Sequence, residues 1–333
     1  MLLFYDAHCH LSPFFVKNEF DVRDGVCINL MSTNQFDVYE VFKLSKKYEN
    51  IIPCYGIHPW YSHLFTFDEY DGNLSKEEFK KIHYLKVLTN MGKKIDSFDD
   101  NDKFLSILPF PIFIKDYISN VIEKYIKESK DSMIGEIGLD KLFRIPSTGY
   151  FGYYRDDKEE YDNNDKKLTN YKVSMDHQIL IFKEFLKISL IYEKPISLHC
   201  VKAHGILLDI VQKFCLENTK ITICLHSYTG SIDQSKNWIK LFKNRIFFSF
   251  SKIINLLKDE IFCELINIIP DKNILIETDL GIDNYYNLNL NLKYDNKHID
   301  DLNQVIYKIS YLKNWNYDFT KSKILENWNN FKK

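Results

Sequence analysis

The sequence is informative first through what it lacks. Nothing in it approaches the ~18 consecutive apolar residues that span a bilayer, so no membrane-crossing helix is expected. Basic excess is missing too: 44 Lys and Arg stand against 46 Asp and Glu, for a net charge of −2 and a pI near 6.6. That removes the broad positive footprint of a long-duplex binder. It leaves room for an enzyme that grips a strand locally through metals and a few side chains. No Cys-x-x-Cys pair occurs among the seven cysteines, Cys9, Cys27, Cys54, Cys200, Cys215, Cys224 and Cys263. Scattered and odd in number, they read as reduced, buried thiols of a cytoplasmic or nuclear protein. No signal peptide is expected, because acidic Asp6 ends the apolar run Leu2-Leu3-Phe4-Tyr5. Internal repeats and coiled-coil heptads are absent as well.

What is present is an ordinary globular composition, 45% hydrophobic over 333 residues, enough for one large α/β domain or two smaller ones. The heavy use of Tyr, Phe, Lys, Asn and Ile reads as compositional bias. Short apolar runs at 2–5, 25–30, 51–56, 132–138, 195–198, 221–225, 245–250 and 273–276 have the length of buried strands. Helical stretches are expected at about 35–48, 75–91, from 115, at 173–192, 204–216 and 232–242, up to 267, and at 300–313 and 320–333. Eight strands, most followed by helix, predict a (β/α)8 TIM-like barrel forming a single domain over 1–333. A doubly wound open sheet is the alternative. Insertions are expected at about 68–115 and 149–172, the second containing a charged, Asn-rich solvated loop at 155–170. A further Asn- and Tyr-rich loop is expected at 284–296.

The first strand leads into Asp6-Ala7-His8-Cys9-His10. In extended backbone, residues two apart share a face. His8 and His10 should therefore project together, with Asp6 behind them on the same face. Two adjacent imidazoles suit one divalent metal. Cys9 and Cys200 alternate with candidate ligands and should point away from them into packing. Strand three runs out at His58, strand four at Glu136, strand five at His199, strand six at His226, and strand eight at Glu277-Thr278-Asp279. In such barrels the C-terminal strand ends build the active site. His8, His10, Glu136, His199, His226 and Asp279 make six ligand-type side chains. One metal with an open position needs about three protein ligands. Six fit two divalent ions ~3.5–4 Å apart with a bridging carboxylate, an arrangement suited to phosphodiester cleavage. The imidazoles favour zinc, while phosphoryl chemistry often uses magnesium or manganese, so the identity stays open among the three.

Taken with Gly56-Ile57-His58-Pro59-Trp60, Gly135 to Asp140, Ser197-Leu198-His199-Cys200 and His226-Ser227-Tyr228-Thr229-Gly230, these stretches resemble the TatD-like metal-dependent hydrolases of the amidohydrolase superfamily. The resemblance runs from Phe4 to about Ile282, with a family-like final helix near Glu326-Asn327-Trp328. It implies a barrel, two divalent ions and nuclease activity, typically on DNA. By position it implies that His8 and His10 bind the first ion with Asp279, that His199 and His226 bind the second, and that Glu136 bridges both. Asp279 and Glu136 are then the catalytic carboxylates, Asp279 orienting or deprotonating the attacking water. A glutamate at Glu136, where many amidohydrolase relatives carry a carboxylated lysine, favours the TatD-like branch. Departures from the family pattern are Leu280-Gly281 in place of Ser-Pro, Tyr228 in place of Phe, and Lys141-Leu142-Phe143-Arg144-Ile145-Pro146 in place of an aromatic continuation. These and the insertions bear on substrate choice.

The candidate substrate-binding residues are His58, Trp60, Lys141, Arg144 and His204. His58 reads either as a phosphate or substrate contact or as a hydrogen-bond partner of a loop. Trp60 offers a base-stacking face or a structural lid. Lys141 and Arg144 offer phosphate neutralisation or surface solvation. His204 lies near the barrel mouth or serves a structural role. Tyr228 and Lys252 are weaker candidates, and His63, His83, His177 and His298 read as incidental. The leading expectation is a deoxyribonuclease with DNA as partner; no membrane and no stable protein partner are implied. The alternatives are an amidohydrolase-type hydrolase of a small molecule and a non-catalytic barrel that binds partners.

Overall fold

Eight strands form one sheet whose order follows the chain. They are β1 (Phe4–His10), β2 (Val26–Met31), β3 (Ile51–Tyr55), β4 (Met133–Asp140), β5 (Ile196–Val201), β6 (Ile223–Leu225), β7 (Ile246–Ser251) and β8 (Ile274–Glu277). The computed structural model describes residues 4–12, 22, 25–98, 103–152, 167–218, 220–286 and 296–333. Every neighbouring pair in the sheet is parallel. β4 buries all eight of its residues, as a parallel strand covered on both faces must. β1 and β8 are the edges of the sheet. They meet at their C-terminal ends, where a bridge joins His10 to Gly281 and Asp279 N donates to His8 O at 3.0 Å. The barrel expected from the strand count is thus closed at the end where the candidate ligands lie.

Helices wrap the outside: α1 (Val38–Lys47), α2 (Lys76–Val87), α3 (114–128, with a π turn at Ile118–Ile122), α4 (Met175–Tyr192), α5 (His204–Cys215), α6 (Ile232–Phe242), α7 (Asp259–Ile268), α8 (Lys297–Lys313) and α9 (Tyr317–Phe331). Their starts are written locally. Ser75 and Ser231 each open a helix with a reciprocal capping box, to Glu78 and Gln234. Ser174 and Asn316 accept from the third residue after them.

Inside the barrel, Ala7, Met31, Cys54, Met133, Cys224, Phe247 and Leu275 pack with Trp328 and Phe331 of α9. α9 therefore stops the N-terminal end. The Trp328 ring lies 4.4 Å from that of Tyr5, and Asn327 Nδ2 donates to Ile274 O, at the start of β8, at 2.8 Å. Burying a ring of this kind contributes about 1.5–3 kcal/mol. The opposite end is left for polar groups.

Three expectations need correction, and a fourth, the loop at 155–170, falls mostly outside the described residues. The helix expected over 75–91 ends at Val87, because Leu88–Asn90 forms an antiparallel strand with Tyr171–Val173. This pairing joins the two insertions, which share a small core of their own that includes Tyr84, Val87, Phe104 and Tyr171. Of the solvated loop at 155–170, residues 155–166 lie outside the described residues, and Leu168 is bridged to Pro146. Of the loop at 284–296, residues 287–295 lie outside, and Asp283–Tyr286 is a helical turn. Lastly, Asp6 does not share a face with His8 and His10. The β1–β2 register shifts between Asp6 and Cys9, and such an irregularity breaks strict alternation. Asp6 instead meets Thr278 and His298.

Candidate metal centre

Glu136 sits in the middle of the assembled site, 4% exposed. Glycine at 138 lets β4 approach β5 closely: with φ of +153°, a Cβ there would lie 2.0 Å from His199 O. The two carboxylate oxygens of Glu136 face different partners. Oε2 lies 3.2 Å from His8 Nε2. Oε1 lies 2.9 Å from both His199 Nδ1 and His226 Nε2, and 3.2 Å from His58 Nε2. Four strands or strand ends thus aim imidazole nitrogens at one carboxylate.

Asp279 enters from β8 on a left-handed backbone with φ of +55°, a conformation uncommon outside glycine that aspartate tolerates better than most residues. Its Oδ1 lies 3.7 Å from His10 Nε2 and 3.9 Å from both His8 Nε2 and His226 Nδ1. Its Oδ2 accepts from the Ser227 hydroxyl at 3.0 Å. All six expected ligands therefore lie in one chain of short contacts. His10 sits at its edge: among the described residues it belongs to no close triple, whereas His8–Glu136–His226, His58–Glu136–His199 and His226–Glu277–Asp279 are such triples.

Hydrogen-bond partners decide which imidazoles keep a lone pair for a cation. His10 Nδ1 faces the carbonyl of Leu11 at 3.1 Å. A carbonyl only accepts, so Nδ1 carries the proton and Nε2 is free to ligate. His8 Nδ1 meets the Ser197 hydroxyl at 3.0 Å, which suits the same tautomer. Behind His199, Nε2 faces Asp140 Oδ2 at 3.5 Å; behind His226, Nδ1 faces Glu277 Oε1 at 3.6 Å. Both outer nitrogens are thereby cast as N–H, and the inner ones as donors to a metal. His58 differs. Its Nδ1 accepts the backbone N–H of Trp60 at 3.2 Å, so Nε2 holds the proton and donates to Glu136. His58 belongs to a metal-like triple by distance, yet its tautomer makes it a hydrogen-bond donor.

The electrostatics fit a cation. Burial pushes the Glu136 carboxyl up, but His58, His226 and His8 with a hydrogen bond from His199 outweigh it and hold the group well below the usual range. Asp279 is held at about 2: burial opposes this, and the His10 hydrogen bond and the nearby imidazoles prevail. In return, burial lowers His10, but Asp279 and Glu136 lift it to about 9. A carboxylate cage that draws protons onto imidazoles draws a divalent ion onto the same nitrogens. His199 Nδ1 and His226 Nε2 stand 3.1 Å apart, and the His8 and His226 rings stack at 3.9 Å. Imidazole nitrogens and carboxylate oxygens in this number form a donor set for divalent transition metals.

The other candidates are placed around this centre. Trp60 lies in the turn Pro59–Leu64; its Nε1 donates to Asp140 Oδ2 at 2.7 Å and its ring stacks on Phe143 at 4.7 Å. The structure thus uses Trp60 to brace the carboxylate behind His199. Lys141 is exposed and Arg144 half-buried on the turn that follows β4. The His204 ring lies 5.7 Å from that of Tyr228, away from the close contacts of Glu136. Cys9 Sγ donates to Leu280 O at 2.9 Å, outside the ligand cluster as the alternation implied. Asp140 and Glu277 are the residues that reading the sequence missed. The signal for both was position: each lies on or at the end of a ligand-bearing strand. His298, read as incidental, is buried against Asp6.

Comparison with known proteins places the whole chain in a family. Residues 5–332 match the family model described as TatD related DNase. The chain is 38% identical to an uncharacterized deoxyribonuclease of Saccharomyces cerevisiae, with 84% of each chain covered. A Cut9-interacting protein of Schizosaccharomyces pombe is 28% identical over 97% of this chain and 96% of its own. An uncharacterized metal-dependent hydrolase of Buchnera aphidicola is 26% identical over 82% of this chain and 79% of its own. In fold, the chain is similar to a TatD homologue of Escherichia coli, with a TM-score of 0.55, 16% identity and coverage of 98% and 97%. A TatD-family hydrolase of Entamoeba histolytica gives a TM-score of 0.56 at 13% identity, with coverage of 99% and 97%.

Proposed function

The chain belongs to the TatD-related DNase family, and from that premise we propose a metal-dependent deoxyribonuclease that hydrolyses phosphodiester bonds with two divalent ions. The observation that carries this reading is the division of Glu136: Oε2 toward His8, Oε1 toward His199 and His226. A carboxylate facing two imidazole groups is placed to be shared. His8, His10 and Asp279 would hold one ion, His199 and His226 the other. Zinc or manganese fits the nitrogen-rich donors best, with magnesium the alternative. Bound ions supply an activated water and charge stabilisation at the leaving oxygen.

The chain's own residues supply the rest. Asp279, held by the Ser227 hydroxyl, accepts the proton of the attacking water. His58 donates from Nε2 and holds Glu136 in place. Lys141 and Arg144, at the exit of β4, meet the phosphates of a DNA strand. His204 and Trp60 border the mouth. The odd number of scattered cysteines, with no Cys-x-x-Cys pair, supports a reducing compartment, cytoplasm or nucleus.

The test is cleavage of end-labelled DNA by the purified full chain with added Mg²⁺, Mn²⁺ or Zn²⁺. Cleavage should require the metal, stop with chelator and be lost in Glu136→Ala. Cleavage that survives chelator, or none with any of the three ions, would overturn the reading.

A further inference from the structure

His8 and Asp279 must stand side by side, yet they come from the two edge strands of the sheet. Their register is set at the seam, and the seam is closed by few bonds. Among the described residues, three backbone bonds cross it: Asp279 N to His8 O at 3.0 Å, His10 N to Leu280 O at 3.2 Å and Ile282 N to His10 O at 2.8 Å. Cys9 Sγ and Asp283 Oδ1 each add a side-chain bond across it, to Leu280 O and from Ser12 N, both at 2.9 Å; the side chain of Asp6 reaches further, to both edges and to α8. Fully buried, its Oδ1 accepts the backbone N–H of His8 at 3.1 Å and of Thr278 at 3.0 Å. Its Oδ2 accepts the Thr278 hydroxyl at 2.6 Å and His298 Nε2 at 2.7 Å. Asp6 therefore grips the ligand His8 on one edge and the residue before the ligand Asp279 on the other.

We propose that His298, reaching in from α8, is a positioning residue for the metal centre: through Asp6 it locks the seam that sets His8 against Asp279. His298 is itself held on three sides. The Tyr286 hydroxyl donates to Nδ1 at 2.8 Å, which leaves the ring proton on Nε2 for Asp6. The Tyr285 ring stacks flat on the imidazole, 4.5 Å away at 7°. Tyr285 in turn donates to Asp301 at 3.1 Å, and Asp301 accepts from Lys252 at 2.9 Å. His298 touches none of the proposed ligands, so its effect passes through the carboxylate it fixes. A charged group in the barrel wall with too few donors would recruit them by moving, and the backbone it moves carries two ligands.

The inference rests on the proposed use of the site, and its test separates the two. Zn²⁺ or Mn²⁺ alone is titrated into the full-length metal-free protein against a chromogenic chelator. His298→Ala should weaken metal affinity about 10- to 100-fold, the range for outer partners of ligands, while thermal melting still shows a folded protein. His298→Gln, which can return an N–H to Asp6, should recover most of the affinity. Equal affinity of folded His298→Ala and wild type overturns the inference and leaves the nuclease reading standing. Wild-type protein that binds no ion overturns both. Wild type that binds ions and cuts no DNA overturns the nuclease reading alone. Should His298→Ala fail to fold, Tyr286→Phe decides: it keeps both rings, and unchanged affinity in it refutes the proposal, whereas a several-fold loss supports it.

Discussion

His8, His199 and His226 are all less than one-tenth exposed, and so are His63, His83 and His177. The first three face carboxylates. The second three, between the Pro59–Leu64 turn, α2 and α4, donate Nε2–H to backbone carbonyls: His63 to Gly149 at 2.9 Å, His83 to His63 at 2.8 Å and His177 to Ser62 at 2.9 Å. Burial holds their pKa values down, at about 4, 3 and 4. Burial acts the same way on His199 and His226, but Asp140 and Glu136 reverse it for the first and Glu136, with Glu277 and Asp279, for the second, so both are raised. Burial alone makes a histidine a neutral strut; at His199 and His226 carboxylate partners outweigh it, whereas His58, also against Glu136, stays lowered at about 4 and serves as a donor.

The comparison breaks most visibly at its centre. Glu136→Ala removes the carboxylate common to both imidazole groups, so metal-dependent cleavage should fall to the level of chelated enzyme and bound metal should be lost in elemental analysis. Retained metal in that variant would mean the histidines suffice without it. Asp279→Asn keeps shape and removes the proton acceptor. Its kcat should drop about 10²- to 10⁴-fold, measured at saturating metal so that weaker binding is not mistaken for slower chemistry.

The strut histidines should respond to acid instead. Their folded pKa values lie below the usual 6.5, so between pH 6.5 and about 4 the unfolded chain binds protons that the folded chain refuses. Stability from this source is complete above pH 6.5 and falls as pH drops through that window, by at most ~1.4 kcal/mol per unit for each histidine. Urea unfolding of wild type and His177→Gln across pH 7 to 4 should show a shallower slope in the variant; parallel slopes would contradict the account. At neutral pH, His177→Ala should cost about 1–3 kcal/mol of stability, from the lost hydrogen bond to the Ser62 carbonyl and the lost packing of the ring, and leave metal affinity unchanged. The smallest effect belongs to Trp60→Phe. Losing one N–H to Asp140 should weaken metal binding only several-fold, on the scale of ~1 kcal/mol for one hydrogen bond. A hundredfold loss would show that Trp60 does more than brace Asp140.

Much of this was legible beforehand. The strand runs, their order and the one end that collects His8, His10, Glu136, His199, His226 and Asp279 follow from period and spacing. Alternation failed at Asp6, where a register shift turns the side chain toward Thr278 and His298. α2 ends before its helical period does because the pairing of Leu88 with Val173 joins segments far apart in the chain. The two histidine groups looked alike in one respect, since no local pattern says whether a buried ring will meet a carboxylate or a carbonyl.

The chain alone determined which residues sit at strand ends, since apolar runs and their polar terminators are local features. Tertiary structure alone decided which nitrogen of each imidazole is left bare, which carboxylates stand behind them, and how the edges of the sheet are pinned together. Those outcomes depend on partners separated by as many as 292 positions, as for Asp6 and His298, and only closing the barrel brings such groups within hydrogen-bond reach.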